Sequence, residues 1–277
     1  MRYANNGPHA LRRASQHGYS LIELLVAMVV AVFLLAGLAI VLQGTRKTAV
    51  NQGSLSQLQD DERVAMTMIT NVVESAGYYP SPETNDISVE LPATGHFGTT
   101  GQVIFGIPNT TPALGDVLIV RYNAAANEDI INCQGTSNAT KGAPVSYTNE
   151  FAVLQPDPKS PPYLACSTDG GGTFVPLVRN VSNLTISYGI NSTAALGNTI
   201  GVPVDSYVLT SAMPNALVAN PQQWTNVYSV KVQVTFINPL YQPFPNVPPT
   251  PGQPQTITFT RVIGVMSRIG VDVSSFT

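Results

Sequence analysis

The sequence predicts an α+β fold in which one long N-terminal helix, transmembrane and then amphipathic, packs on a strand-rich, mainly antiparallel C-terminal domain. Three observations predict it. Residues 9–79 contain no proline, whereas 21 of the 22 prolines lie at or beyond Pro80, and a long proline-free stretch can be a single helix. Leu24 to Leu42 is a run of 19 residues without a charge, close to the ~20 needed to cross a hydrocarbon core. Beyond residue 80, short runs of Val, Ile, Phe and Tyr alternate with Pro, Gly, Asn, Thr and Ser, which is how strands and turns read.

The helix comes first in the chain and has two faces that change along its length. Residues 19–43 form its transmembrane half, within which Leu24 to Leu42 is apolar all round, the mark of a membrane segment. Residues 44–77 carry one apolar stripe, Leu55, Leu58, Ala65, Met68, Ile69, Val72, Val73 and Ala76, at gaps of three and four, with Gln59, Asp60, Arg63, Thr67 and Asn71 opposite. A continuous helix from Ser20 to Ala76 would span roughly 85 Å at about 1.5 Å per residue. Gly77 is placed to end it, and Pro80 prevents its continuation.

The stripe needs a partner, and residues 78–277 supply candidate strands. These are Val103 to Ile107, Val117 to Tyr122, Phe151 to Leu154, Tyr163 to Cys166, Phe174 to Val178, Leu184 to Ile190, Val227 to Ile237 and Gln255 to Met266. Alternation is clearest where Val230, Val232, Val234 and Phe236 interleave with Lys231, Gln233 and Thr235, the pattern of a sheet with one covered face. Seven prolines between Pro239 and Pro254 read as a surface loop of polyproline character between two strands.

Composition narrows the function. Charged residues are only 10% of the chain and the net charge is −3, with no dense run of either sign, so a nucleic-acid partner, which needs a basic stripe, is not expected. Of the three histidines, His9 and His17 fall in the N-terminal segment expected to be removed, and the remaining His96 with two cysteines is too few for a Cys/His zinc site. The motifs G-x-S-x-G, G-x-x-x-x-G-K-[ST], H-E-x-x-H and C-x-x-C are all absent. No enzyme activity, catalytic residue, metal or cofactor is therefore expected.

The N-terminus is the most specific region. Residues 1–18 hold Arg2, Arg12 and Arg13 and no acid, a positively charged segment left in the cytoplasm. No convincing A-x-A-like site follows the apolar run. Instead the run is preceded by Gly18-Tyr19-Ser20-Leu21-Ile22-Glu23-Leu24, and this resembles a type IV prepilin. The resemblance implies a pilin-like fold and cleavage after Gly18 by an inner-membrane prepilin peptidase. It also implies N-methylation of Tyr19, which stands where the family usually has Phe. Removing the leader 1–18 would leave 259 residues with 10 basic and 16 acidic side chains, net −6. Glu23 would be the fifth mature residue, where the family has its glutamate, and its implied role is to pair with the N-terminal amine of a neighbouring subunit. A carboxylate entering the membrane needs such a partner, since charged side chains there cost about 2.5–3.5 kcal/mol at the helix centre.

Further pieces resemble PilW-type minor pilins. They are Leu58-Gln59-Asp60 with Arg63-Val64-Ala65, Ser75 to Tyr79, Gly115 to Tyr122, Cys133, Asn149 to Val153 and Leu164 to Cys166. Leu177 to Val181 with Leu184, Tyr188 to Ile190, Asp205 to Val208, Trp224 with Asn226-Val227, and the closing Arg261-Val262 strand follow in the same order. That resemblance implies a structural subunit of the pilus tip and priming complex. Its partners would be other minor pilins, the major pilin, the prepilin peptidase, the inner-membrane assembly machinery and inner-membrane lipid. It would sit in the bacterial inner membrane with its head in the periplasm, then at the pilus tip. A minor pseudopilin of a type II secretion system shares the same leader, and a ligand-binding tip subunit, an adhesin or a DNA receptor, is a third reading.

Cys133 and Cys166 are the only cysteines, and in an exported chain such a pair is expected to form a disulfide. Ser167 to Gly172 reads as a hairpin turn, His96 as a surface-loop residue, and Trp224 as part of the core.

Overall fold

The computed structural model describes residues 18–108, 114–194, 201–213, 221–241 and 248–269. All of the expected leader except Gly18 lies outside them, as do residues 242–247 of the proline-rich loop. By its contacts the chain forms two compact units, Met1–Gln52 and Gly53–Thr277.

In the first unit, α1 begins at Leu21 and every described residue up to Val50 is exposed. This part of α1 is long and apolar enough to cross a membrane. The helix continues to Glu74, two residues short of the expected Ala76.

In the second unit the sequence stripe becomes the buried face of α1. Leu58, Ala65, Ile69, Val72 and Val73 are buried, and Met66 joins them, while Gln59, Asp60, Arg63, Thr67 and Asn71 are exposed. Past the helix, Gly77 adopts a left-handed backbone (φ +75°) that a side chain would strain. A Cβ there would also meet Ser267 Oγ at 2.6 Å and Val103 Cγ1 at 2.7 Å. One turn, α2 (Ile87–Glu90), follows, capped by the Asp86 side chain accepting from the Ser88 amide.

Nine strands then form two antiparallel sheets. The first holds β1 (Ile104–Ile107), β2 (Val117–Ala124), β3 (Val145–Leu154), β4 (Tyr163–Ser167) and β5 (Val175–Arg179) in sequence order. The second holds β6 (Val181–Ile190), β7 (Ser206–Leu209), β8 (Val227–Ile237) and β9 (Thr256–Gly264) in the order β7-β6-β8-β9. Each neighbour pairing is antiparallel. On β8, Val230, Val232, Val234 and Phe236 are fully buried, as alternation requires. Both sheets and the α1 stripe share one apolar cluster. Trp224 lies within it, its ring centroid 4.9 Å from that of Phe105 and 4.8 Å from that of Tyr188.

Polar groups stitch the layers together. The Gly77 amide donates to the Arg121 carbonyl and the Asn123 amide to the Tyr78 carbonyl, so the chain leaving α1 extends the edge of β2 beyond the end of β1. Gly115 (φ +84°) sits against the backbone of Leu184. Beside it the Asp116 amide donates to the Leu184 carbonyl at 2.6 Å. The Asp116 carboxylate accepts from the Ile186 amide at 2.8 Å and from Thr210 Oγ1 at 2.9 Å. One Gly-Asp pair thereby ties the start of β2 to β6 in the other sheet.

Cys133, in the β2–β3 connection, and Cys166, on β4, are disulfide-bonded with Cα atoms 6.2 Å apart. Both are buried. The segment Ser167 to Gly172 joins β4 to β5 as a hairpin, its turn organised by Asp169 accepting from the Gly172 and Thr173 amides and from Ser167.

Candidate functional site

The residues singled out at the N-terminus lie at the start of α1. Gly18, Tyr19 and Ser20 precede the helix and are exposed. The Ser20 carbonyl accepts from the amides of Glu23 (3.0 Å) and Leu24 (3.2 Å), which starts the helix. Glu23 is the one acid of the first turn, placed where a negative charge meets the positive end of the helix dipole. It is exposed, as are Leu24 and Leu25 after it. Among the described residues, none covers the apolar run beginning at Leu24.

Among the described residues, a Cβ built on Gly18 meets nothing within 4 Å, and its backbone is not left-handed. No described residue imposes a packing demand on this glycine.

The other chemical candidate is His96. It is half-buried in the loop between α2 and β1, its ring stacked on Phe105 at 5.9 Å between centroids. It shares a cleft of about 400 Å³ with Asp169, Ser146 and Thr148. The Asp169 carboxylate is held by its own turn, which keeps it below the usual carboxylate range through the Ser167 hydroxyl and the Thr173 amide. Among the described residues no three His, Cys, Asp or Glu side chains are grouped to hold a metal ion.

Two family models match the chain. The prokaryotic N-terminal methylation motif matches residues 13–39, which contain Gly18, Tyr19 and Glu23. The Type IV Pilus-assembly protein W model matches residues 152–259, from β3 into β9. The methylation motif and the PilW match together support a minor type IV pilin of the PilW type. Among solved structures, a type IV-like pilin from Thermus thermophilus is similar at 10% identity, covering 76% of this chain and 98% of that chain, with a TM-score of 0.36. No curated protein matches it. Pilin families are structural, and the methylation motif brings with it processing by a prepilin peptidase and partners of pilus assembly. It also fits an inner-membrane anchor through the apolar part of α1.

The sequence reading did not single out a second surface, at the far end of α1. Tyr78 donates to the Glu128 carboxylate, which pushes the phenol up to about 12. Beside this pair Glu74, Asp129, Ile131 and Met266 line one groove. These residues come from three separate stretches of sequence, so no local motif announces them.

Proposed function

We propose that this pilin is a structural subunit of the complex that primes pilus assembly and remains at the pilus tip. In this reading prepilin peptidase cuts between Gly18 and Tyr19 and the new amine of Tyr19 is methylated. Glu23 then accepts the amine of a neighbouring subunit as the apolar half of α1 enters the filament. The observation that carries the reading is a carboxylate in the first turn of α1, directly ahead of 19 uncharged residues that no other described residue covers. An amine and a carboxylate brought together in low dielectric attract far more strongly than in water. The open surroundings of Gly18 support the cut, since a peptidase can reach this backbone without unfolding the helix. Other minor pilins and the major pilin are the partners, with the head in the periplasm before extrusion and at the cell surface afterwards. The disulfide agrees with an oxidising compartment for the head.

The test is a deletion in the host complemented with wild type or with Glu23→Ala. Sheared surface pili are compared with the spectrum of secreted proteins. The expected outcome is loss of pili on deletion, no restoration by Glu23→Ala, and unchanged secretion. Normal pili with failed secretion would make the chain a pseudopilin instead. If neither changes, the priming reading fails and the head acts by binding. Gly18→Val is expected to leave the leader attached, read by the mass of the N-terminal peptide.

A further inference from the structure

The groove at the C-terminal end of α1 has a volume of about 500 Å³. Ile131 and Met266, which line it, are 49% and 55% exposed. Large apolar side chains left in water together mark an interaction surface.

Its electrostatics are one-sided. The last turn of α1 contains Glu74 and no base, although the end of a helix already carries about half a negative charge. Asp129 adds a second exposed carboxylate and Glu128 lies behind it on Tyr78. Among the described residues no Lys or Arg lines the groove, so no base there balances these carboxylates or the negative end of the helix. A cation from outside would meet them. An apolar floor with an anionic rim suits a long basic side chain, whose methylenes lie on Ile131 and Met266 while its charged end reaches Glu74 and Asp129.

We propose that this groove docks a projecting Lys or Arg, flanked by apolar residues, on the head of a neighbouring pilin of a different kind. The choice of a pilin as partner rests on the function proposed above. Two occupants from this chain itself are disfavoured by charge. Residues 270–277, which follow Ile269, contain Asp272 and no Lys or Arg. A second copy of the processed chain would bring a net charge of −6. The groove is the anchor point of a larger contact, since a stable interface buries about 800 Å² on each partner and a few central residues dominate it.

The experiment uses the full-length protein in its host, with a photo-crosslinking amino acid at Ile131 and, as a control, at the exposed Val175 of β5. The expected result is an adduct at Ile131 with another pilin, at a peptide containing Lys or Arg, and none at Val175. Glu74→Lys and Asp129→Lys are each expected to lower its yield at least fivefold. Protection of Cys133 and Cys166 from alkylation reports that these variants remain folded. An adduct to residues 270–277, to a second copy, to lipid or to a non-pilin protein overturns the proposal. So does the absence of any adduct, or a yield indifferent to both charge reversals. Pili are counted in the same strains. Loss of pili on deletion together with a failed crosslink refutes the groove alone. Normal pili on deletion refute the priming role, whatever the crosslink shows.

Discussion

Arg121 shows how much of the head depends on one side chain. It lies on β2, almost wholly buried, and its guanidinium donates from Nε to the Gln102 carbonyl (2.6 Å), from Nη1 to Pro92 (2.6 Å) and from Nη2 to Leu91 (3.0 Å). It also lies 4.2 Å from the centre of the Phe97 ring. Burial pushes its pKa down to about 10, which still leaves it charged at neutral pH. Arg121→Met removes the donor from three carbonyls and is expected to cost about 3–4 kcal/mol, with Arg121→Lys recovering part of it. The midpoint of urea unfolding, followed through the single buried Trp224, measures this. Glu150 behaves in the opposite sense. Burial first, and then the neighbouring Asp169, raises its pKa above the usual carboxylate value, so the folded state holds its proton more tightly than the unfolded chain. Its stability contribution is present at low pH and lost as pH rises through the raised pKa. Glu150→Gln is therefore expected to match wild type near pH ~4 and become progressively more stable than wild type towards pH ~8. Neither environment was legible in the sequence, because a lone arginine or glutamate on a strand does not reveal whether distant carbonyls or carboxylates will meet it.

At the level of elements, periodicity was a sound guide wherever one face is buried. The stripe of α1 and the full extent of β8, Val227–Ile237, stand where their spacing puts them. β7 was missed. It is four residues long and no more than half-buried, so it carries no strong alternation. β3 begins at Val145, six residues before the expected Phe151. Its polar start, Ser146 to Glu150, looks like a loop in sequence, yet Asn149 is buried with its side-chain carbonyl accepting from the Cys133 amide at 2.9 Å. Two perturbations test the elements. Ile69→Ala, on the buried stripe, is expected to cost about 3 kcal/mol, read by the same unfolding midpoint. Replacing both cysteines by serine opens a loop of 34 residues that contains all of β3, and is expected to cost up to about 4 kcal/mol in the chain-entropy account.

For the whole molecule, the pilin-like motif and the long apolar helix were legible because they rest on contiguous residues, Gly18 to Leu42 above all. The layering of two sheets was not, since sheet order depends on which distant edges meet. The contact that Asp116 makes with Ile186 of β6 illustrates this, its donor and acceptor 70 positions apart in sequence. The second unit has its own core and disulfide. A chain starting at Gly53 is therefore expected to remain soluble without detergent and to unfold in one cooperative step, which calorimetry can check.

The bare apolar half of α1 has a consequence for the energetics of filament growth. Its side chains must be wrapped by hydrocarbon while the subunit waits and by other apolar helices once it has been drafted into the fibre. Lipid tails are as apolar as leucine, so this exchange of one greasy sheath for another yields almost no hydrophobic gain. Growth in such a system is steered by whatever distinguishes the two sheaths. On this chain, in the role proposed for Glu23, that is a single carboxylate at the mouth of the helix, which would find a matching ammonium in a fibre and none among acyl chains. A subunit without it would then gain little by leaving lipid for the fibre.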